Sequence, residues 1–197
     1  MTNIIIPRPT CGEVKKYLTL WSQLEDYPEQ EKILNKFFRE LYPYNNNFDH
    51  VLIKVAILNN FYSTRILSIY TVAKHIMDII DIDNRLKNGD ETLVDEIKKV
   101  KVKGKEFNYL SFATKYCSHH NFRLFPIYDS CVCKMLKHFR NAYHFTSFKN
   151  KELENYTRFK EIIKEFMGYY GFSSYFTFKD IDRYLWLSGK HFFPQKT

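Results

Sequence analysis

Glycine and proline are scarce, six of each in 197 residues, which argues against a turn-rich all-β architecture. Cysteine is scarce as well. Cys11, Cys117, Cys131 and Cys133 make no disulfide framework in a chain of this length without a signal peptide. Cys131 and Cys133 lie two apart in a helical run, so their thiols point to different faces and form a poor metal pair. His119-His120 has no partner at helical spacing and reads as exposed or packed. No metal and no other cofactor is expected. No apolar run approaches the roughly 20 residues of a membrane span. Met1-Thr2-Asn3-Ile4 is no signal peptide, so a cytoplasmic protein without membrane association is expected.

What is present is core-forming and basic. Hydrophobic residues make up 45% and aromatics 18%, which suits a packed globule rather than a disordered chain. The net charge of +8 suits a polyanionic partner, although many basic proteins bind no nucleic acid. No internal repeat or low-complexity stretch occurs.

Apolar periodicity predicts helices almost throughout. Ile4-Ile5-Ile6, stopped by Pro7, reads as an extended arm on the body. Helices are expected over Glu13–Leu24, from Pro28 to Leu41, and over Phe48–Leu58, where Asn59 and Asn60 interrupt. Ser63 or Thr64 can cap the next, which runs to Ile80. Asp83 to Asp90 reads as a polar turn and Glu91–Val100 as a helix, followed by a basic run from Lys98 to Lys105. Glu152–Met167 is amphipathic, Gly168 and Gly171 break it, and Thr177 or Asp180 starts a last helix ending at Gly189. The expected class is all-α, with about nine or ten helices and little strand.

The stretch Asn108–Arg140 organises the rest. Thr114-Lys115 begins a short helical run, Tyr116 to His120. Phe122 to Tyr128 is extended, because Pro126 cannot continue a helix and restricts the residue before it. Asp129 then caps an amphipathic helix that ends near Tyr143-His144-Phe145.

This pattern of Thr-Lys, a short helix, Phe-Pro-Ile-Tyr-Asp and a further helix resembles the helix-hairpin-helix DNA glycosylases, closest to their 8-oxoguanine glycosylase branch. By that resemblance Lys115 matches the family's lysine and Asp129 its helix-capping aspartate. A second match is Ile57-Leu58-Asn59-Asn60-Phe61-Tyr62-Ser63-Thr64-Arg65-Ile66, where the family carries an Asn-rich turn followed by Arg-Ile and fills the gap left by an extruded base. Together the matches cover under half the chain. Two features depart from the pattern. Tyr109-Leu110-Ser111-Phe112-Ala113 stands in place of a Pro-Gly-Val-Gly-type hairpin, and fourteen positions separate Lys115 from Asp129, fewer than the family pattern. With a truncated helix Lys115 keeps its role; with a register slip of one turn, Ser111 takes its place. The four-cysteine cluster of some related glycosylases is missing, so no iron–sulfur cluster is expected.

The resemblance implies one glycosylase-like domain over 1–197, as two helical subdomains with a helix-hairpin-helix-type element and a cleft between them. The split is expected roughly at 48–140, with the remainder coming from both termini. It implies a monomer acting on double-stranded DNA with a damaged or modified base. Cutting the N-glycosidic bond builds positive charge on the sugar, which a carboxylate such as Asp129 stabilises. An amine at Lys115, activated by burial and a nearby helix start, would form a Schiff base and nick the strand by β-elimination. Asn60 or Phe61 would plug the stack and Arg65 contact the orphaned base, with Asn59 in the same turn. Tyr128, Trp186 and Phe192 would stack on the flipped base. Lys101, Lys103, Lys105 and the Ser111 region would meet phosphates.

Each element has a plainer reading. Asn-Asn before a Ser/Thr cap is ordinary turn chemistry. Asp129 is also an ordinary N-cap, Lys115 a surface lysine, the basic run a solvated loop and Trp186 a core residue. Two other classes compete: a non-catalytic nucleic-acid-binding protein of the same fold, and a helical ribonuclease suggested by Arg140 and His144, though only three residues separate them.

Overall fold

In the computed structural model the protein is mostly helical, and the structure describes residues 5–194. Ile4 of the expected arm lies outside them; Ile5 is 84% exposed, so it does not pack on the body. The helices are α1 (Cys11–Ser22), α2 (Asp26–Asn35), α3 (Phe48–Tyr62), α4 (Ile69–Met77), α5 (Ile82–Asn88) and α6 (Thr92–Lys98). After the strands β1 (Lys99–Val102) and β2 (Lys105–Asn108) come α7 (Leu110–His120), α8 (Ser130–Tyr143), α9 (Tyr156–Tyr169) and α10 (Phe178–Phe192). A π-helical turn, Lys36–Leu41, extends α2, and a 3-10 turn, Asn150–Glu154, precedes α9. Among the described residues no helix is long and apolar enough to cross a membrane, and no group of three His, Cys, Asp or Glu could hold a metal.

The chain divides into two compact units, one of residues 26–127 and the other of both flanks. In the central unit, the α3 stripe Val51, Val55 and Leu58 packs with Val72, Ala73 and Ile76 of α4, all fully buried. Leu93, Val94 and Ile97 of α6 and Phe112, Ala113 and Tyr116 of α7 complete this core. The basic run is not a loop. Lys99–Val102 pairs antiparallel with Lys105–Asn108, and the turn at Lys103 and Gly104 has φ of 49° and 80°. Two left-handed residues match the twist of a two-residue hairpin, which glycine at the second position permits. Val100 and Val102 face inward while Lys99 and Lys101 face out, the alternation of a half-buried strand.

Other boundaries also shift. Asn59 and Asn60 do not interrupt α3, which continues to Tyr62 and stops where Ser63 turns left-handed (φ 47°). Ser68, not Ser63 or Thr64, caps α4 by accepting from the Thr71 N–H. Asp83–Asn88 is helical rather than a turn, ending at Gly89 with φ 74°. α7 starts at Leu110, because Tyr109 N–H bonds the Lys98 carbonyl (2.7 Å) and the chain passes from β2 directly into helix.

The flanking unit contains α1, α8, α9 and α10. Thr10, Asp129, Asn155 and Thr177 each cap a helix by accepting a backbone N–H, and Asp180 bonds back to Thr177 as a capping box. Phe139, Phe159, Phe166, Phe172 and Leu185 are fully buried here. The last helix does not end at Gly189. It runs on to Phe192, with Gly189 lying against the first turn of α8. A Cβ at Gly189 would sit 2.6 Å from the Cys131 carbonyl oxygen, whereas one at Gly168 in α9 would meet nothing within 4 Å. Gly189→Ala should therefore destabilise the protein by about 1–3 kcal/mol through forced separation of two helices. Gly168→Ala should be neutral or gain about 0.5 kcal/mol. Urea unfolding of both variants tests this; equal effects would mean that α10 does not approach α8 this closely.

Candidate functional site

α7 carries Ser111, Lys115 and His119 at successive spacings of four, so they share one face of the helix. Lys115 is the sixth residue of α7, well past its first turn, so the expected nearby helix start is absent. Nor is it a surface lysine, being only 3% exposed. Its ammonium donates to Ser111 Oγ (2.6 Å) and lies 5.2 Å from the centre of the Tyr62 ring. Thus Ser111 is not left to face a phosphate alone; it anchors the lysine. The Tyr62 hydroxyl meets His119 Nε2 at 3.0 Å.

The Asn-rich turn is internally tied. Asn59 Oδ1 accepts from Thr64 Oγ1 (2.9 Å) and from the Ile66 N–H (3.0 Å). Asn60 and Arg65 are exposed and Phe61 is half-buried. Arg65 adopts φ 59°, an unusual conformation for a non-glycine residue, and the Asn59 staple holds the turn that contains it. Leu67 beside it is 67% exposed. Lys101, Lys103 and Lys105 are all exposed on the β-hairpin, with the Lys105 ammonium 5.6 Å from the Phe107 ring.

In the flanking unit Asp129 is the N-cap of α8 as expected, with φ −143°, ψ 149° and a carboxylate accepting the Cys131 N–H at 2.9 Å. Tyr128 is half-buried with its ring edge-on to Phe159 at 5.5 Å, and burial together with the nearby Cys133 raises its phenol pKa, keeping it neutral. Trp186 sits T-shaped on Trp21 at 5.5 Å, with the Lys190 ammonium 4.1 Å from its ring centre. Phe192 stacks on His191. Arg140 and His144 do line one groove of about 670 Å³. Its guanidinium, however, is engaged by the Phe148 carbonyl (2.6 Å), Asn150 Oδ1 (3.2 Å) and Asn141 Oδ1 (3.0 Å).

A buried polar cluster in the central unit escaped the sequence reading. Lys54 is fully buried, and its ammonium donates to the carbonyls of Tyr42 and Tyr44 (3.1 Å each) and to Asn45 Oδ1 (2.7 Å). His120 Nε2 lies 3.3 Å away. Burial, then Lys54 and Arg39, holds the His120 pKa well below its usual value, so a neutral ring can accept from Lys54. The Tyr116 hydroxyl donates to the same Asn45 oxygen (2.5 Å), while Asp83 accepts from Asn45 through both its backbone N–H and its side-chain amide. The one available signal was a lysine inside the apolar run Val51-Leu52-Ile53-Lys54-Val55-Ala56-Ile57-Leu58.

Comparison with known proteins places the chain. The HI_0787_N family model, described as an N-terminal domain, matches residues 13–125. The chain belongs to this family. A Haemophilus influenzae protein described as uncharacterized is 46% identical over 164 residues, which cover 83% of this chain and 78% of that protein. No solved structure matches. The family match takes in Lys54, Tyr62, the hairpin lysines and Lys115, and it stops four positions before Asp129.

Burial lowers the Lys54 pKa to about 7, opposed by the Asp83 carboxylate. Above that pH the native chain releases a proton that the unfolded chain keeps until near 10.5, so in this window stability rises with pH. Lys54→Met should cost about 3 kcal/mol at pH 7, since it orphans buried acceptors. The penalty should grow at pH 9. Urea unfolding at the two pH values reads both quantities; a penalty that shrinks at pH 9 would contradict the assigned direction.

Proposed function

We propose that this chain is a DNA glycosylase that flips a damaged or modified base out of the duplex and releases it, with an associated strand-nicking lyase step. The observation that carries the reading is the burial of Lys115, one helix ahead of the extended Phe125–Tyr128 run that leads into the Asp129 cap. A lysine is seldom buried without a task, and this one is anchored by a hydroxyl and an aromatic face. The β1–β2 hairpin feeding α7 takes the place of a helix-hairpin-helix element and presents lysines in place of hairpin amides.

In this reading the base departs with the electron pair of its C1′–N bond, and the Asp129 carboxylate stabilises the cationic sugar. The Lys115 amine then bonds C1′, loses a proton to solvent, and opens the ring to an imine. Loss of a C2′ proton and of the 3′ phosphate completes β-elimination. Base extrusion requires a plug, a role this reading gives to Asn60 or Phe61 on the turn stapled by Asn59, with Arg65 contacting the orphaned base. Tyr128, Trp186 and Phe192 are the proposed stacking walls. The alternative is a nucleic-acid-binding protein of the same fold without chemistry.

Asp129→Asn should abolish base release while leaving DNA affinity within about threefold, since Asn also caps well. Lys115→Gln should remove the borohydride-trapped protein–DNA adduct and strand nicking. Base release retained in Asp129→Asn would overturn the assignment of this residue. Binding has its own test. Replacing Lys101, Lys103 and Lys105 with alanine should weaken binding to all duplex sequences alike and reduce the salt slope by about 3. Fluorescence anisotropy over a salt series measures this, and an unchanged slope would remove the hairpin from the phosphate contacts.

A further inference from the structure

Three polar side chains on one face of a largely buried helix need a reason. Ser111, Lys115 and His119 occupy that face of α7, with Lys115 and His119 only 3% and 2% exposed. Lys115 and His119 converge on Tyr62, the last residue of α3. The Lys115 ammonium lies over the Tyr62 ring, and the Tyr62 hydroxyl bonds His119. His119 is itself fixed: its ring lies 5.4 Å from that of Phe38, and its carbonyl accepts the Arg39 Nε–H at 3.0 Å. These residues all belong to the central unit.

We propose that Tyr62 and His119 are positioning residues for the Lys115 amine, His119 setting the angle of the Tyr62 ring and the ring face holding the amine. The proposal rests on the reading of Lys115 as the nucleophile. A lysine carries its amine on four flexible methylenes, so each contact made by the ammonium narrows where it can reach. The negative face of a phenol ring supplies one such contact and attracts a cation. It serves the reaction at two stages, because the imine formed after attack on C1′ is also cationic when protonated. Position 62 is thereby given a task different from the plugging role of its neighbours Asn60 and Phe61.

Two measurements separate this role from simple packing. The first needs no DNA: reductive methylation with formaldehyde and cyanoborohydride, reading Lys115 against Lys101 by mass spectrometry. Tyr62→Leu should methylate Lys115 about threefold faster relative to Lys101, because the cation loses its face. Tyr62→Phe, which keeps the ring face but loses the hydroxyl that meets His119, should fall between wild type and Tyr62→Leu. Pentafluorophenylalanine at position 62 keeps the shape and reverses the charge of the face, so it should behave as Tyr62→Leu. It also covers the case in which Tyr62→Leu does not fold.

The second measurement is single-turnover borohydride trapping on a duplex with a preformed abasic site. Trapping should fall about tenfold in Tyr62→Leu and in the fluorinated variant at unchanged DNA affinity. It should fall in His119→Leu and recover in His119→Gln, whose amide still meets the phenol. If the fluorinated variant matches Tyr62→Phe in both assays, the ring only packs and the positioning role is overturned. If wild type traps no adduct at all, the nucleophile reading fails first and takes this inference with it. Those two failures are told apart by the wild-type control alone.

Discussion

The central unit depends on one amine with no access to water. Lys54 cannot leave its amine without hydrogen-bond partners in an apolar interior, so the chain around it is arranged to supply oxygen atoms. The Tyr42 and Tyr44 carbonyls and Asn45 Oδ1 do so, which fixes the loop between the π-helical turn and α3. Asn45 passes the constraint on. It receives Tyr116 of α7 on the same oxygen and is clamped by Asp83 of α5. Through Tyr116 and His120 the lysine therefore sets where α7 lies, and α7 is the helix that carries Ser111, Lys115 and His119. Removing one partner of such a network costs far more than the network contributes as a whole, because the remaining groups stay buried.

In the flanking unit the corresponding constraint is steric. Gly189 lets α10 touch the first turn of α8, at the carbonyl of Cys131. Asp129 accepts from the N–H of that same residue, so the cap and the helix contact meet at Cys131.

Much of this was legible in the sequence. The mostly helical character followed from apolar periodicity and from the scarcity of glycine and proline. Asp129 was readable as a cap, and Thr177 as one of two candidates beside Asp180, because each precedes an amphipathic run. What was not legible has physical reasons. Lys-Val-Lys-Val-Lys-Gly-Lys alternates with period two, but four residues are too few to separate a strand from a charged loop, and the two-stranded hairpin is stabilised only by burying Val100 and Val102 on the body. The start of α7 at Leu110 is set by the bond from Tyr109 N–H to the Lys98 carbonyl, which closes the strand at once and which no local pattern in Tyr109-to-Ala113 announces. Lys54 was passed over because its meaning lies in partners at Tyr42, Tyr44, Asn45 and His120, which no local pattern connects. The Tyr62–His119 contact spans 57 positions and is likewise invisible to spacing rules.

The chemistry proposed here asks the central unit for an amine and a phosphate-facing hairpin, and the flanking unit for a carboxylate. The family match covers the first set and ends before the second. The most direct test is to incubate the wild-type protein with duplexes carrying oxidised, alkylated, deaminated or hypermodified bases and to quantify abasic sites. The account predicts abasic sites in at least one duplex, with a borohydride-trapped adduct mapping to Lys115. Salt-sensitive binding to every duplex with no base released from any would contradict it and leave a DNA-binding protein without chemistry.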